Sequence, residues 1–314
     1  MSSSSVFMAA GRAHALAGAW PQAARSFRAA WGADPANRTA RHALATSLLA
    51  LGEFAEGFAL YALRRELPEF PSAPTVPWPE WRGEPLKGKH ILLFPEQGLG
   101  DQIQFARFAP WLAAAGADVT LFCAPALERL FQSLGVRAIA AEGQVEFPDP
   151  DYWASIIDVP GISQLTPERL PAAPYLTARP TTPAKARVGV MRRGNPAHAN
   201  DANRSMPDDL PLPFEAISLA PADTGARDLQ DTAELVAGLD LVVSVDTSVA
   251  HLAGAMGKPT FVLLPAVACD WRWMGARSDS PWYPSLTLFR QSRSGGWEEQ
   301  LTRVGAAVAA RLSA

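Results

Sequence analysis

The sequence predicts an α/β chain in which an all-α segment of helical repeats precedes two consecutive α/β units. Three observations carry this. Gly11 and Ala45, His14 and Leu48, Gly18 and Gly52, Trp20 and Phe54, Ala23 and Gly57, and Phe27 and Tyr61 recur at one spacing of 34 residues. That spacing marks a repeated helix pair. From Lys89 onward, continuous apolar runs alternate with amphipathic stretches, the pattern of buried parallel strands joined by crossover helices. Residues 240–265 read as a strand, a capped helix and a second strand, one right-handed βαβ unit.

The totals agree with a soluble, well-packed chain. Of 314 residues 48% are hydrophobic, enough for proper cores. With a net charge of -3 and no basic run, the chain lacks the electrostatic footprint of a nucleic-acid partner. Cys123 and Cys269 are far apart beside apolar segments, so they read as core residues in a reducing compartment. Residues 1–6 lack the positive start of a signal peptide, and no segment is apolar for long enough to cross a bilayer. The expected location is cytoplasmic.

Taken in order, residues 6–67 carry the 34-residue period of the tetratricopeptide repeat, with Phe7, Ala10, Gly11, Gly18, Trp20, Ala23, Phe27, Ala30 and Pro35 matching its signature. Arg64 and Phe70 depart from it in the second repeat, where Ala and Pro are usual. Two repeats serve either as a packing annex for the next domain or as a docking groove for a protein or peptide. Pro68, Pro71, Pro74, Pro77, Pro79 and Pro85 make residues 68–88 a semi-rigid connector, packed down through Trp78 and Trp81.

Strands are expected at 90–94, 119–123 and 136–140, with helices at 102–115 and 126–134 between them, and residues 152–159 close the first unit. The second has strands at 188–191, 216–219, 241–245, 260–264 and 286–289, and helices at 232–237 and 249–256. A terminal helix covers 297–312. Two such units predict two Rossmann-like domains with a cleft between them.

Chemistry concentrates at strand ends. Gly98-Leu99-Gly100-Asp101 follows a strand and opens a helix, so its backbone N–H groups can face an anion. It is neither a dinucleotide fingerprint nor a Walker A loop, since Ile103 holds the third Gly position and no Gly-Lys-Ser/Thr follows. Asp101 alone could be a helix cap, but Glu96, Gln97 and Gln102 add polar groups that a turn does not need. Asp246-Thr247-Ser248-x-x-His251 joins hydroxyls and an imidazole at one helix start, where a diphosphate would meet unpaired donors and the helix dipole. An ordinary cap is the alternative. Arg192, Arg193 and Asn195 follow a strand end and suit phosphate or carboxylate; the later His198, Asn200, Asp201, Asn203 and Arg204 read better as a solvated loop. Asp149-Pro150-Asp151 reads as a turn, and no His/Cys/Glu cluster has metal-ligand spacing.

Several segments together resemble bacterial tetratricopeptide-repeat proteins that end in a heptosyltransferase-like glycosyltransferase domain (family 9-like, GT-B fold). They are W-R-G-E-P-L-K-G-K at 81–89, E-Q-G-L-G-D-Q-I-Q-F-A-R at 96–107, S-V-D-T-S-V-A-H-L-A-G-A-M-G-K-P at 244–259, D-W-R-W at 270–273 and S-P-W-Y-P at 280–284. The resemblance implies repeats at 1–67, a linker at 68–88, an acceptor-side Rossmann-like domain at 89–180, a nucleotide-sugar domain at 186–291 and a C-terminal helix at 292–314. It implies inverting transfer without a metal or other cofactor, helix-end N–H groups and basic side chains stabilising the leaving diphosphate.

By the same resemblance Asp101 is the general base and His251 steadies the leaving group. The donor would be held by Gln97, Gly98, Gly100, Gln102, Arg192, Arg193, Asn195, Asp246, Thr247, Ser248 and His251. Relatives usually carry Trp and a small residue at Arg192-Arg193, and Gln at Ala220. The expected partners are a nucleotide-sugar donor and, through the repeats, a protein acceptor such as flagellin. Two alternatives stand: a non-catalytic nucleotide-binding adaptor, and a glycan-directed transferase of envelope polysaccharide synthesis.

Overall fold

The computed structural model describes residues 2–180, 187–275, 277–293 and 296–313. The expected boundary between the two α/β units, at 180–186, falls mostly outside them. Helices α1 (Ser3–Leu16), α2 (Trp20–Ala33), α3 (Arg38–Leu51) and α4 (Phe54–Tyr61) open the chain and pack in sequence, each on the next. Close approach of α1 and α2 depends on Gly11, where a Cβ would fall 2.5 Å from the Phe27 ring. Ser2 and Asn37 cap α1 and α3 through their side chains.

The first α/β unit holds β1 (His90–Phe94), α5 (Leu99–Ala106), α6 (Phe108–Ala114), β2 (Asp118–Cys123), α7 (Pro125–Phe131), β3 (Arg137–Ala140), β4 (Tyr152–Ser155) and the single-turn α8 (Val159–Ile162). Its strands are all parallel in the order β3-β2-β1-β4. The helix expected at 102–115 starts earlier and divides at Arg107. Pro110 is the cause: lacking an N–H, it cannot bond back to Ala106. The Pro-rich connector is packed down, as Trp81 is buried and its backbone N–H bonds Trp153 at 2.8 Å on the sheet edge.

The second unit holds β5 (Val188–Met191), α9 (Asp201–Arg204), β6 (Ile217–Ser218), α10 (Pro221–Thr224), α11 (Leu229–Ala237), β7 (Leu241–Val245), α12 (Ser248–Ala255), β8 (Thr260–Leu264), β9 (Leu286–Arg290) and α13 (Trp297–Ser313). Its five parallel strands run β6-β5-β7-β8-β9. The order reverses between β5 and β7, which makes their carboxyl ends the switch point where open α/β sheets bind ligands. Residues of β7 are buried throughout, in keeping with a strand covered on both faces.

One core joins all three parts. Phe54, Phe58 and Tyr61 of α4 share it with Phe105 and Phe108 of the first unit and Trp271, Trp273 and Trp282 of the second. Buried Arg64 ties the helices down as well, reaching Glu96 and Asp158, each at 2.5 Å. Its departure from the repeat signature thus has a structural use. Arg107, also buried, donates to Trp282 O at 2.6 Å and Pro171 O at 3.2 Å, stitching the α/β units together. Among the described residues no helix is long and apolar enough to cross a membrane.

Candidate active site

A cleft of about 790 Å³ opens between the α/β units at the carboxyl ends of β5 and β7. Helices α5 and α12 meet there with their N-terminal turns side by side. The approach needs Gly100, since a Cβ would lie 2.9 Å from His251 Cδ2 and 3.6 Å from Ser248 Cα. Two helix starts therefore aim unpaired N–H groups and positive dipole ends at one space, a setting that favours an anion.

On the first unit's side, Asp101 accepts the Gly98 N–H at 2.9 Å and so caps α5, as one reading of the loop expects. It also receives Arg272 Nη2 at 2.5 Å, with 21% of its side chain still open to the cleft. Burial raises its pKa, and the Arg272 guanidinium acts against that rise. Gln97 sits in the left-handed region at φ 64° and turns away from the cleft, its Nε2 donating to Tyr61 Oη at 3.0 Å and its Oε1 accepting from Arg272 Nη2 at 3.3 Å. Gln102 turns away too: its Oε1 accepts the Ala124 N–H at 2.8 Å, fixing the start of α7. Neither lines the cleft, which on this side is bounded by Gly98, Leu99, Gly100 and Asp101.

On the second unit's side the cleft is lined by Arg192, Arg193, Asn195, Asp246, Thr247, Ser248 and His251. Thr247 Oγ1 accepts the Val249 N–H at 3.2 Å, so this hydroxyl caps α12. Burial and the neighbouring Asp270 push Asp246 up to about 6. His251 is buried, stacks on Trp273 with ring centroids 4.9 Å apart, and is 3.0 Å from Tyr283 Oη through Nδ1. Burial, with Arg272 nearby, drives its pKa down to about 3. The imidazole is therefore neutral near pH 7 and can take part in hydrogen bonds but not act as a cation.

The adjacent arginines are held away from full freedom. Arg192 Nη1 donates to Leu210 O at 2.8 Å and Pro207 O at 3.1 Å, and Arg193 pairs with Asp208 at 2.6 Å on the surface. Arg204, expected in a solvated loop, is instead buried under the cleft. Its Nη1 donates to the Asp246 carbonyl at 3.0 Å, and Gly194 lies so close that a Cβ there would meet the guanidinium at 2.5 Å. Asp270 and Arg272 also reach the cleft, paired at 3.0 Å, with the guanidinium 4.4 Å from the Trp271 ring centroid. They were legible only as part of D-W-R-W. Among the described residues no group of three or more His, Cys, Asp or Glu side chains is placed to hold a metal ion.

Residues 216–265, from just before β6 through β8, match Glycosyltransferase family 9 (heptosyltransferase). The match covers 50 of the chain's 314 residues. The matched segment includes the α12 start, so it contains part of one wall of the cleft. Protein FlbA of Caulobacter vibrioides is 32% identical over 326 residues, covering 85% of this chain and 54% of that protein. The chain thus spans about half the length of this relative. Among solved structures, the ADP-heptose lps heptosyltransferase II of E. coli aligns at 13% identity and TM-score 0.44, over 71% of this chain and 98% of that one. A family 9 glycosyl transferase from Veillonella parvula aligns at 10% identity and TM-score 0.44, over 73% and 91%.

Proposed function

We propose that the protein is an inverting glycosyltransferase that moves a sugar from a nucleotide-sugar donor to a protein acceptor without a metal ion. The observation that carries this reading is the convergence of the α5 and α12 N-termini on one cleft, with the α12 start inside the family 9 match. The donor diphosphate would lie over the α12 start, near Ser248 and the Arg204 guanidinium. Asp101 would take the proton of the acceptor hydroxyl as that oxygen attacks the anomeric carbon from the opposite face. The bond from that carbon to the diphosphate breaks, its electron pair leaves with the phosphate, and the neutral His251 donates a hydrogen bond to the departing oxygens. Each Asp101 oxygen already accepts one bond, from Gly98 or Arg272, and keeps lone-pair capacity for the incoming proton.

The helices would present the acceptor on the side turned from the core, where Val6, Phe7 and Leu16 of α1 are exposed. Their packing against both α/β units also supports the annex reading, and the two roles are compatible. Double engagement of Asp101 favours one rival, a nucleotide-binding adaptor without turnover. Calorimetry of the intact protein against nucleoside diphosphates and their sugars is the deciding test. Binding with slow donor hydrolysis is expected; binding without hydrolysis or transfer leaves the adaptor, and no binding removes both readings.

A further inference from the structure

A continuous chain of contacts leads from the helical unit to Asp101. Tyr61, on the last turn of α4, is buried, and its hydroxyl accepts from Gln97 Nε2 at 3.0 Å. Gln97 passes on to Arg272 at 3.3 Å, and Arg272 reaches Asp101 at 2.5 Å. The backbone at Gln97 is left-handed at φ 64°, a conformation a non-glycine residue keeps only when its surroundings hold it. The residue before it, Glu96, is clamped by Arg64 of the same helical unit at 2.5 Å.

Arg272 itself cannot move freely. Asp270 grips Nη1 with both carboxylate oxygens, at 3.0 and 3.2 Å, and Trp271 packs beneath the guanidinium. With Asp270 on Nη1, Trp271 beneath the plane and Gln97 on Nη2, the guanidinium holds Nη2 towards Asp101. Fixed orientation of a reacting group is worth more to a proton transfer than proximity alone.

We propose that Arg272, held by Tyr61 through Gln97, is the positioning residue that aims the Asp101 carboxylate into the cleft, so that the helical unit is part of the catalytic apparatus. The proposal rests on reading Asp101 as the base. Other charged or titratable groups that act on Asp101 are Asp270 beside Arg272, His198 from the loop after β5 and Tyr61 itself, while the neutral His251 of α12 lies against the adjacent Gly100. Of these Arg272 is the nearest cation, so its charge should dominate the proton affinity of Asp101.

The test uses the full chain with whichever donor it hydrolyses or transfers. In Arg272→Gln the acid limb of the kcat–pH profile should move up by about one to three pH units, because the carboxylate loses its cation. Arg272→Lys should restore part of the shift. Tyr61→Phe keeps the ring in the core and removes only the hydroxyl, so it remains informative if Arg272→Gln does not fold. It should lower kcat by about tenfold at neutral pH with donor KM unchanged.

A raised donor KM with an unmoved acid limb in both Arg272 variants would make Arg272 a donor contact and overturn the proposal. Wild-type kinetics in Tyr61→Phe would cut the helical unit out of it. Failure of the glycosyltransferase reading is separate, since it appears as absence of nucleotide binding in the wild-type protein.

Discussion

Arg64 grips Glu96 with two hydrogen bonds, Nη2 to Oε2 at 2.5 Å and Nε to Oε1 at 2.7 Å, from a side chain with no exposed surface. Burial would raise the Glu96 pKa, yet Arg64 holds it below the usual carboxylate range. Asp158 stands on the other side of the same guanidinium at 2.5 Å, and Arg65 pairs with it too. Truncation strands buried Glu96 without a cation and leaves Asp158 with Arg65 alone, so Arg64→Ala should cost about 3–5 kcal/mol in urea or thermal unfolding. A cost under about 1 kcal/mol would mean that the network is solvated and does not fasten the helices.

The same packing changes what deletion of residues 1–67 can report. Phe54 lies against Trp282 with ring centroids 5.3 Å apart, and Phe58 against Phe105 and Trp271. A chain without α4 exposes those rings and should aggregate or unfold. Acceptor docking is better probed on α1, where Phe7→Ser alters an exposed side chain and should leave the melting temperature within a few degrees. Loss of protein-acceptor use with donor hydrolysis intact is the expected result; unchanged acceptor use moves docking off this face.

Gly100 has no room for a methyl group. His251 cannot retreat from a Cβ at 2.9 Å, because Trp273 stacks on the ring and Tyr283 bonds Nδ1. Gly100→Ala should therefore destabilise the fold by about 1–3 kcal/mol and pry α5 from α12. Gly32, near the end of α2, has nothing within 4 Å, so Gly32→Ala should be neutral or stabilise by about 0.5–1 kcal/mol. Equal melting temperatures for the two variants would show that the helix contact tolerates expansion.

These contacts mark where the sequence stops being readable. Runs such as 90–94, 241–245 and 260–264 announce themselves because parallel strands buried on both faces must be apolar throughout. The α12 start at Thr247 was legible from its capping residues, whereas α5 begins three residues before the expected Gln102. Arg204 was not, because a polar loop looks solvated until its chain folds under the cleft. Nor was the tie from Gln97 to Arg272, which spans 175 positions and depends on how two domains dock. Local pattern fixes elements; it says little about which charged groups the tertiary fold will pair.

Arg204 leads to a prediction that contrasts with Arg193. A diphosphate over the α12 start would meet the buried Arg204 guanidinium, whereas Arg193 is exposed and already paired with Asp208. Arg204→Gln should weaken nucleoside diphosphate binding about tenfold or more, read by calorimetry. Arg193→Ala should change stability by less than about 1 kcal/mol and binding only slightly, as exposed pairs contribute little. The reverse ranking would return the phosphate contact to Arg193.

His251 makes stability depend on pH with a definite sign. Its folded pKa is about 3, below the ordinary 6.5 that the unfolded chain should show. Between those values the unfolded state binds the extra proton, so this group's contribution is full above about 6.5 and is lost as pH falls towards 3. Asp246 acts oppositely: its folded value of about 6 lies above the ordinary 3.8, so its contribution falls as pH rises from about 4 to 6. The two partly cancel near pH 5, and wild-type data alone cannot separate them. Substitution does. His251→Gln keeps a neutral hydrogen-bonding side chain, so its melting temperature should fall less than the wild type's between pH 7 and pH 5. Identical slopes in the two proteins would mean that His251 titrates normally in the folded state, with solvent reaching the ring past Trp273.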